Sequence, residues 1–212
     1  MISLNKVNAS NVWKLLELQV LPEQEDFVAT NTESIVEAYT TLAAGGTALP
    51  FGVYADGQPV GFVMFGYGPI PGDEDEPPVA AGNYCLWRFM IDRNFQGRGY
   101  GKAALEAALR YLAGLPCGPA EYIWLSYEPE NQRARAMYRS MGFVENGQRC
   151  DDEIVAVLPV KEAQSRFGTL KVLNEKANRL VRFAFSFNTL LRGSAYSVPA
   201  GASAGSCFAR LR

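Results

Sequence analysis

The sequence predicts a mixed α/β domain, in which helices flank a central β-sheet, followed by a C-terminal extension. Three observations support this fold class. An apolar strand ending at Ile91 runs into a loop with three glycines within residues 97–101, and a strongly periodic helix follows at once. A second strand, break and helix occupy residues 123–142. The Asp56-Gly57 pair, between two β-rich runs, is typical of a tight hairpin turn.

The N-terminal half of the domain is predicted to contain two helices and one hairpin. Residues 11–18 and 32–42 place apolar side chains at helical spacing. Two runs rich in β-branched and aromatic residues, 51–55 and 60–66, form the predicted hairpin strands. The acidic, proline-rich segment 72–78 follows them and is predicted to be a loop.

The C-terminal half of the domain is predicted to alternate strands and helices before a final hairpin. Asn131 is a favoured N-cap residue, and Gly142 stands where a helix commonly ends. The predicted elements are strand 84–91, helix 102–113, strand 122–127, helix 131–141 and a hairpin over 143–158.

The composition changes after residue 160. Residues 1–160 contain 11 Lys and Arg against 20 Asp and Glu, whereas residues 161–212 contain 9 against 2. We therefore predict an acidic domain over 1–160 and a basic extension over 161–212, partly helical from about Leu170 or disordered. An acidic domain suits a cationic substrate.

The composition also excludes several classes of function. The chain has no His, and its four Cys lack metal-binding spacing, so we expect no metal site and no His-dependent hydrolase triad. A net charge of −2 argues against nucleic-acid binding. We see neither a signal peptide nor the ~20 apolar residues of a membrane span, so we expect a cytoplasmic protein.

The glycine-rich loop is predicted to bind a phosphate group. The first N–H groups of a helix have no internal partner, and glycines let an anion approach the backbone. The dinucleotide fingerprint needs a glycine where this chain has Lys102, and the P-loop needs a Ser or Thr where it has Ala103. The remaining pattern, Gln96-x-x-Gly99-x-Gly101, resembles the pyrophosphate-binding motif of the GNAT superfamily of N-acetyltransferases, which hold acetyl-CoA.

A second motif strengthens this resemblance. Residues 131–143 resemble the other GNAT motif, in which an Asn opens a helix and Ala134, Tyr138 and Gly142-Phe143 follow at set positions. Over roughly residues 1–160 the chain is similar to bacterial diamine and spermidine acetyltransferases. The resemblance implies a largely antiparallel mixed sheet whose two central strands splay apart, with distorted main chain that contacts the coenzyme.

The resemblance also implies roles for individual residues. Tyr138 would protonate the leaving thiolate, because a phenol is protonated at neutral pH. Asn131 would contact the pantetheine arm, cap its helix, or do both. The other residues implied in coenzyme binding, chiefly through their main chain, are Phe89, Met90 and Ile91 on the strand and Gln96, Gly97, Arg98, Gly99, Tyr100, Gly101 and Lys102 in the loop.

The acceptor amine is predicted to meet acidic and aromatic side chains. The segment that roofs the acceptor site in this fold contains Glu23, Asp26, Glu33 and Glu37, and Trp87 offers a cation–π contact. A solvated helical face explains the four carboxylates equally well. Some polyamine-acetylating relatives place a Glu that acts as the general base on the strand that here has Leu-Trp-Arg at residues 86–88. Because this chain has no Glu there, the resemblance does not assign its general base.

The sequence therefore predicts an acetyl-CoA-dependent N-acetyltransferase acting on a small-molecule primary amine by direct attack in a ternary complex. The preferred acceptor is a polyamine or diamine such as spermidine. Another small amine such as an aminoglycoside, a protein amino group, and a catalytically inactive coenzyme-A-binding module remain as alternatives. A homodimer is included among the expected assemblies, and no nucleic-acid or membrane partner is expected.

Overall fold

The computed structural model of the chain describes residues 1–73 and 76–168, so the predicted tail helix from Leu170 lies outside the described residues. The strands are β1 (Ile2–Lys6), β2 (Ala48–Ala55), β3 (Gln58–Tyr67), β4 (Tyr84–Ile91), β5 (Tyr122–Tyr127), β6 (Val144–Cys150) and β7 (Glu153–Pro159). The helices are α1 (Val12–Leu16), α2 (Asn31–Ala43), α3 (Tyr100–Ala113), α4 (Gln132–Ser140) and α5 (Val160–Phe167), with short 3₁₀ helices at Pro22–Phe27 and Pro78–Ala80.

The strands form one sheet in the order β1-β2-β3-β4-β5-β7-β6. Every neighbouring pair is antiparallel except β4 and β5, which are parallel. That parallel pairing extends over only two residue pairs, Tyr84 with Ile123 and Cys85 with Trp124. Beyond Cys85 the two central strands separate. The predicted mixed, largely antiparallel sheet with splayed central strands is therefore confirmed.

A β-bulge distorts β4 just beyond the point where it leaves β5. Leu86 pairs with Phe65 of β3 and Arg88 pairs with Met64, so Trp87 is the extra residue between them. A bulge bends its strand and redirects the side chains that follow it. The distortion that the family resemblance implied for this strand is thus present, and it is centred on Trp87.

The predicted hairpin turn is present, whereas the first strand was not predicted. Asp56 and Gly57 have φ angles of 49° and 84°, both in the left-handed region that two-residue hairpin turns require. The N-terminal residues, by contrast, form edge strand β1. Ile2 and Leu4 alternate with the more exposed Ser3, which is the period of a half-buried strand.

The sheet has a hydrophobic cluster on each face. Alternate residues of β3 enter different clusters: Val63 and Phe65 pack with α3, whereas Phe62 and Met64 pack with Ala38 of α2. This alternation follows from the period of two in a strand. None of the described helices is both long and apolar enough to cross a membrane.

Helix α5 packs on the same face as α3, just after the predicted domain boundary at residue 160. Ala163 and Phe167 belong to the core cluster and are 0% and 8% exposed. Gln164 Nε2 donates a hydrogen bond to the Ala113 carbonyl (3.1 Å), and Arg166 Nη1 donates to the Met141 carbonyl (2.7 Å). Residues 161–167 are therefore part of the folded domain.

Chains truncated after residue 160 and after residue 168 should differ strongly in stability. The shorter chain loses the buried Phe167 side chain, and deleting a buried Phe costs about 3–5 kcal/mol. We expect the chain ending at residue 168 to unfold cooperatively in urea and the chain ending at residue 160 to unfold at a much lower midpoint. Equal midpoints would show that α5 does not contribute to the core.

Candidate functional site

A cleft of about 1210 Å³ opens where β4 and β5 separate. The residues around it come from the glycine-rich loop, from α4, from the segment around the 3₁₀ helix at Pro22–Phe27, and from the loops next to β6 and β7. One end of the cleft is formed by the loop and the start of α4. The other end is strongly acidic.

The loop end presents unpaired main-chain N–H groups. Gly97 and Gly99 have φ angles of 76° and 79°, a region that L-residues rarely adopt, and no atom lies within 4 Å of where a Cβ would stand on either. Gly99 is the N-cap of α3. The first helical hydrogen bond runs from Ala103 N–H to the Gly99 carbonyl (3.2 Å), so the first three N–H groups of α3 have no helical acceptor. This geometry suits an anion.

The side chain of Gln96 fixes this loop from within. Its Nε2 donates to Gln24 Oε1 (2.7 Å) and to the Ile91 carbonyl (2.9 Å), and its Oε1 accepts from Arg133 Nη1 (3.2 Å). These bonds join the end of β4, the 3₁₀ helix and α4. The Gln96 side chain therefore holds the loop in place and leaves the loop main chain to face the cleft.

Strand β4 offers a free edge to the cleft. Phe89, Met90 and Ile91 pair with residues 61–63 of β3 on one edge, and no described strand pairs with them on the other. The Met90 and Ile91 side chains are buried, while Phe89 is half-buried against the core. Main-chain groups on an unpaired edge need a partner from water or from a ligand.

Helix α4 begins at the loop end of the cleft. Asn131 Oδ1 accepts a hydrogen bond from Ala134 N–H (3.0 Å), so the predicted N-cap is present. Gly142 follows the helix with a φ of 100°, as predicted for a terminating glycine. Between them Tyr138 lies on the face of α4 that meets the cleft.

Tyr138 is 8% exposed and its ring contacts those of Tyr127 and Phe143, at centroid distances of 5.8 and 5.9 Å. Its hydroxyl makes no hydrogen bond to another described residue. Burial, followed by the negative charge of Glu153, raises the pKa of Tyr138 well above its ordinary value of 10.0. The phenol is therefore a proton donor throughout the neutral and moderately alkaline range.

Most of the residues predicted to bind the coenzyme surround this end of the cleft. Arg98 and Tyr100 do not line it: the Arg98 guanidinium lies over the Phe95 ring (5.5 Å), and Tyr100 packs against the core. The predicted residues that do line the cleft are Phe89, Met90, Ile91, Gln96, Gly97, Gly99, Gly101, Lys102 and Asn131.

The lining of the whole cleft is acidic. Ten of the described lining residues are Asp or Glu, against three that are Lys or Arg. One of the ten, Glu130, stands beside Asn131 at the loop end, and most of the others lie away from it and form the acidic end. Two of the three cationic residues, Lys102 and Arg133, are at the loop end. The residues predicted to bind the acceptor all line the cleft, namely Glu23, Asp26, Glu33, Glu37 and Trp87.

Two of these predicted carboxylates already have partners in the protein. Glu33 accepts hydrogen bonds from the main chain and hydroxyl of Thr30, which cap α2 and lower the pKa of Glu33. Both Glu37 oxygens accept from Arg88 Nη2 (3.0 and 2.9 Å). Glu23 and Asp26 have no ion-pair or hydrogen-bond partner among the described side chains, so they are the freer groups of this set.

Further carboxylates at the acidic end were not predicted as site residues. Glu76, Asp151 and Glu153 also line the cleft. Because β7 lies next to β5 in the sheet, Glu153 reaches Ser126, whose hydroxyl donates a hydrogen bond to Glu153 Oε2. No sequence pattern marks this contact, which depends on the strand order.

The cleft also contains buried polar atoms without partners. Within residues 1–73 and 76–168, three wholly buried side-chain N or O atoms lack a hydrogen bond, and all belong to residues that line the cleft: Glu76 Oε1, Arg88 Nε and Trp124 Nε1. Buried polar groups in native proteins are nearly always satisfied. All three lie in the walls of the cleft, beneath its accessible surface. Among the same residues, no group of three or more His, Cys, Asp or Glu side chains is placed to hold a metal ion.

Comparison with known proteins agrees with this geometry. The model of the acetyltransferase (GNAT) family matches residues 13–143. The chain is 32% identical over 147 residues to a probable spermine N(1)-acetyltransferase of Bacillus subtilis subsp. natto and to a spermine/spermidine N(1)-acetyltransferase of Bacillus subtilis strain 168. Each match covers 69% of this chain and 90% of the relative.

Solved structures share the fold. The aminoglycoside acetyltransferase AAC(6')-Ib in complex with coenzyme A superposes with a TM-score of 0.64 at 19% identity, over 80% of this chain and all of the other. At that identity the likeness concerns the fold alone. Together with the family match, it agrees with the prediction from the two sequence motifs. The chain therefore belongs to the GNAT acetyltransferase family and is an N-acetyltransferase with acetyl-CoA as its co-substrate.

Proposed function

We propose that this enzyme acetylates a primary amine of a polyamine or diamine such as spermidine, by direct attack within a ternary complex. The observation on which the proposal rests is the charge of the cleft, where ten carboxylates face three cationic side chains. A flexible polycation is the small-molecule amine that best matches several separated negative charges. The polyamine acetyltransferases of Bacillus, at 32% identity, support the same acceptor.

The loop end of the cleft fits the coenzyme. Acetyl-CoA supplies a pyrophosphate to be held and a thioester whose carbonyl carbon accepts the amine and whose sulfur leaves as a thiolate. The unpaired N–H groups at the start of α3 would bind the pyrophosphate, helped by the charge of Lys102. The free edge of β4 at Phe89, Met90 and Ile91 would provide hydrogen bonds to the pantetheine arm, as would Asn131 from the start of α4.

The acidic end would collect and orient the amine. An alkyl ammonium has a pKa near that of Lys, about 10.4, so it arrives charged and must lose a proton before it attacks. Carboxylates such as Glu23 and Asp26 would bind ammonium groups that do not react, while Trp87 provides an aromatic face. Orientation of this kind replaces a bimolecular encounter with a reaction inside the complex.

Tyr138 would act as the general acid. It donates its phenolic proton to the sulfur as the carbon–sulfur bond breaks. Water takes up the two protons that the nitrogen loses, one before it attacks and one as the amide forms, and returns one proton to the phenolate. A raised pKa keeps the phenol protonated at the pH of the reaction, so the proton is available in every turnover. Packing of the Tyr138 ring against Tyr127 and Phe143 holds the phenol in place beside the cleft.

A turnover screen tests the acceptor. We expect the full-length enzyme to release coenzyme A from acetyl-CoA in the presence of spermidine or spermine, with a higher kcat/KM than with kanamycin, amino acids or a peptide bearing a free N-terminus. Preference for the aminoglycoside or the peptide would replace the polyamine as the substrate. Absence of turnover with every amine, despite coenzyme binding, would identify an inactive coenzyme-binding module.

Substitution of Gly99 tests the phosphate site. Gly99→Val forces a β-branched residue into the left-handed region, at a cost of roughly 1–2 kcal/mol, and puts a side chain where the pyrophosphate would approach. We expect coenzyme A binding, measured by calorimetry, to be lost. Gly57→Val is the matched control, because Gly57 has a similar φ of 84° and equally open surroundings in a distant hairpin. It should lose similar stability but keep coenzyme affinity; loss of affinity in both variants would contradict the assignment.

Substitution of Tyr138 tests the acid. Tyr138→Phe keeps the ring contacts and removes only the hydroxyl, so kcat should fall about 100-fold or more while the KM for acetyl-CoA stays constant. Tyr127→Phe removes the same atom from the neighbouring ring and should leave kcat within about threefold of wild type.

The pH profile gives a second measure of the same role. Because the pKa of Tyr138 is raised, the acid form persists as pH rises to 10, while deprotonation of the amine increases the rate. We therefore expect kcat/KM to increase from pH 7 to pH 9.5 without a descending limb. A fall in rate near pH 8–9 that disappears in Tyr138→Phe would show that the phenol titrates in this range and would contradict the expected protonation.

A further inference from the structure

The acidic end of the cleft has a second wall, formed by two loops that are far apart in sequence. Glu76 follows β3 and precedes β4, whereas Glu153 begins β7 after a tight turn from β6. Both line the cleft, as do Glu23 and Asp26 on the 3₁₀ helix at Pro22–Phe27. We define Glu76 and Glu153 as the fork pair, because they lie where β4 and β5 separate.

Glu153 is held in a defined orientation with one oxygen unused. Ser126 on β5 donates its hydroxyl proton to Glu153 Oε2, and no described residue donates to Glu153 Oε1. No Lys or Arg of the described chain forms an ion pair with it. Ile154, the next residue of β7, pairs with Tyr127, whose ring contacts that of Tyr138, so Glu153 lies near the phenol. Its charge accordingly helps to raise the pKa of Tyr138, after the larger effect of burial. A cation on Oε1 would therefore lie close to the proposed acid.

Glu76 is in a less favourable environment than a surface carboxylate. Its Oε2 accepts from Ile70 N–H (2.9 Å), but its Oε1 is wholly buried and accepts from no described residue. Burial raises its pKa, an effect that the Ile70 hydrogen bond only partly opposes. A raised pKa means that the ionised form is less favourable in the folded protein than in the unfolded chain. A bound cation would remove that disadvantage.

The two carboxylates share one region of the cleft. The 3₁₀ helix that follows Glu76 packs through Ala80 on Cys85 and Trp124, and Cys150 lies against the same cluster. Cys150 pairs with Glu153 at the β6–β7 turn. Both carboxylates accordingly help to raise the pKa of Cys85 and of Cys150, after the larger effect of burial.

We infer that the fork pair, Glu76 and Glu153, binds the ammonium group of the acceptor that reacts, and so determines which amine of the substrate is acetylated. The inference rests on the proposed acetylation of a polyamine, and it adds where the reacting end of the substrate binds. Glu153 Oε1 accepts a hydrogen bond from the ammonium, and the negative charge of Glu76, whose Oε1 lies beneath the cleft surface, attracts the ammonium through space. Glu23 and Asp26, on the 3₁₀ helix, then bind an ammonium further along the substrate. Glu37 is excluded from this role because Arg88 already neutralises it.

Two isosteric substitutions test the fork pair. Glu153→Gln retains an oxygen for the Ser126 hydroxyl, and Glu76→Gln retains one for Ile70 N–H. We expect each to raise the KM for spermidine about tenfold or more while the KM for acetyl-CoA is unchanged. Calorimetry of spermidine with the enzyme, without acetyl-CoA, should show the same loss of affinity. In Glu76→Gln the Tm of the free protein should also rise at neutral pH, because the unfavourable buried charge is gone.

Glu121→Gln is the matched control. Glu121 is exposed and lies outside the cleft, so this variant changes the net charge equally without touching the site. If Glu153→Gln and Glu76→Gln change spermidine affinity no more than Glu121→Gln does, the fork pair is not the binding site and the inference is wrong. If wild type binds spermidine and both fork variants lose it, but no amine is acetylated, the binding site stands and the proposed reaction falls.

Discussion

The brief pairing between β4 and β5 determines the rest of this structure. The two parallel strands are joined through only two residue pairs, and they separate beyond Cys85. Because the strands diverge, the edge of β4 from Leu86 onward is not used by the sheet and faces a cleft instead. The bulge at Trp87 increases the divergence. A regular sheet would have satisfied these main-chain groups internally and left no room for a thioester and an amine to meet.

The charges of the cleft are divided between its two ends. Unpaired N–H groups and the side chains of Lys102 and Arg133 make the glycine-loop end favourable for an anion, whereas the acidic end is favourable for a cation. Tyr138 lines the same cleft, where its ring contacts those of Tyr127 and Phe143. Some acidic side chains stabilise the fold, as Glu33 does by capping α2. The others make the electrostatic potential of the cleft negative.

Most of the fold could be predicted from the sequence, because its helices and strands are strongly periodic and its glycines mark the turns. Less of the site could be predicted. The Thr30-x-x-Glu33 capping box is visible in the sequence and would have shown that Glu33 is already engaged. Helical spacing of Ala163 and Phe167 likewise indicated α5 beyond residue 160. The proximity of Glu76 and Glu153 had no such indication, since it depends on β7 inserting beside β5.

Gly142 and Arg166 connect the C-terminal helix to the position of the phenol. A Cβ at residue 142 would stand 2.1 Å from Arg166 Nη1, so the glycine leaves the space that the guanidinium fills. From there Arg166 binds the carbonyls of Met141 and Ser140 at the end of α4, one turn beyond Tyr138. The position of the phenol therefore depends on the docking of α5 as well as on its own helix. Because α5 shares its core cluster with the sheet, inactivation and loss of β-structure would coincide on heating.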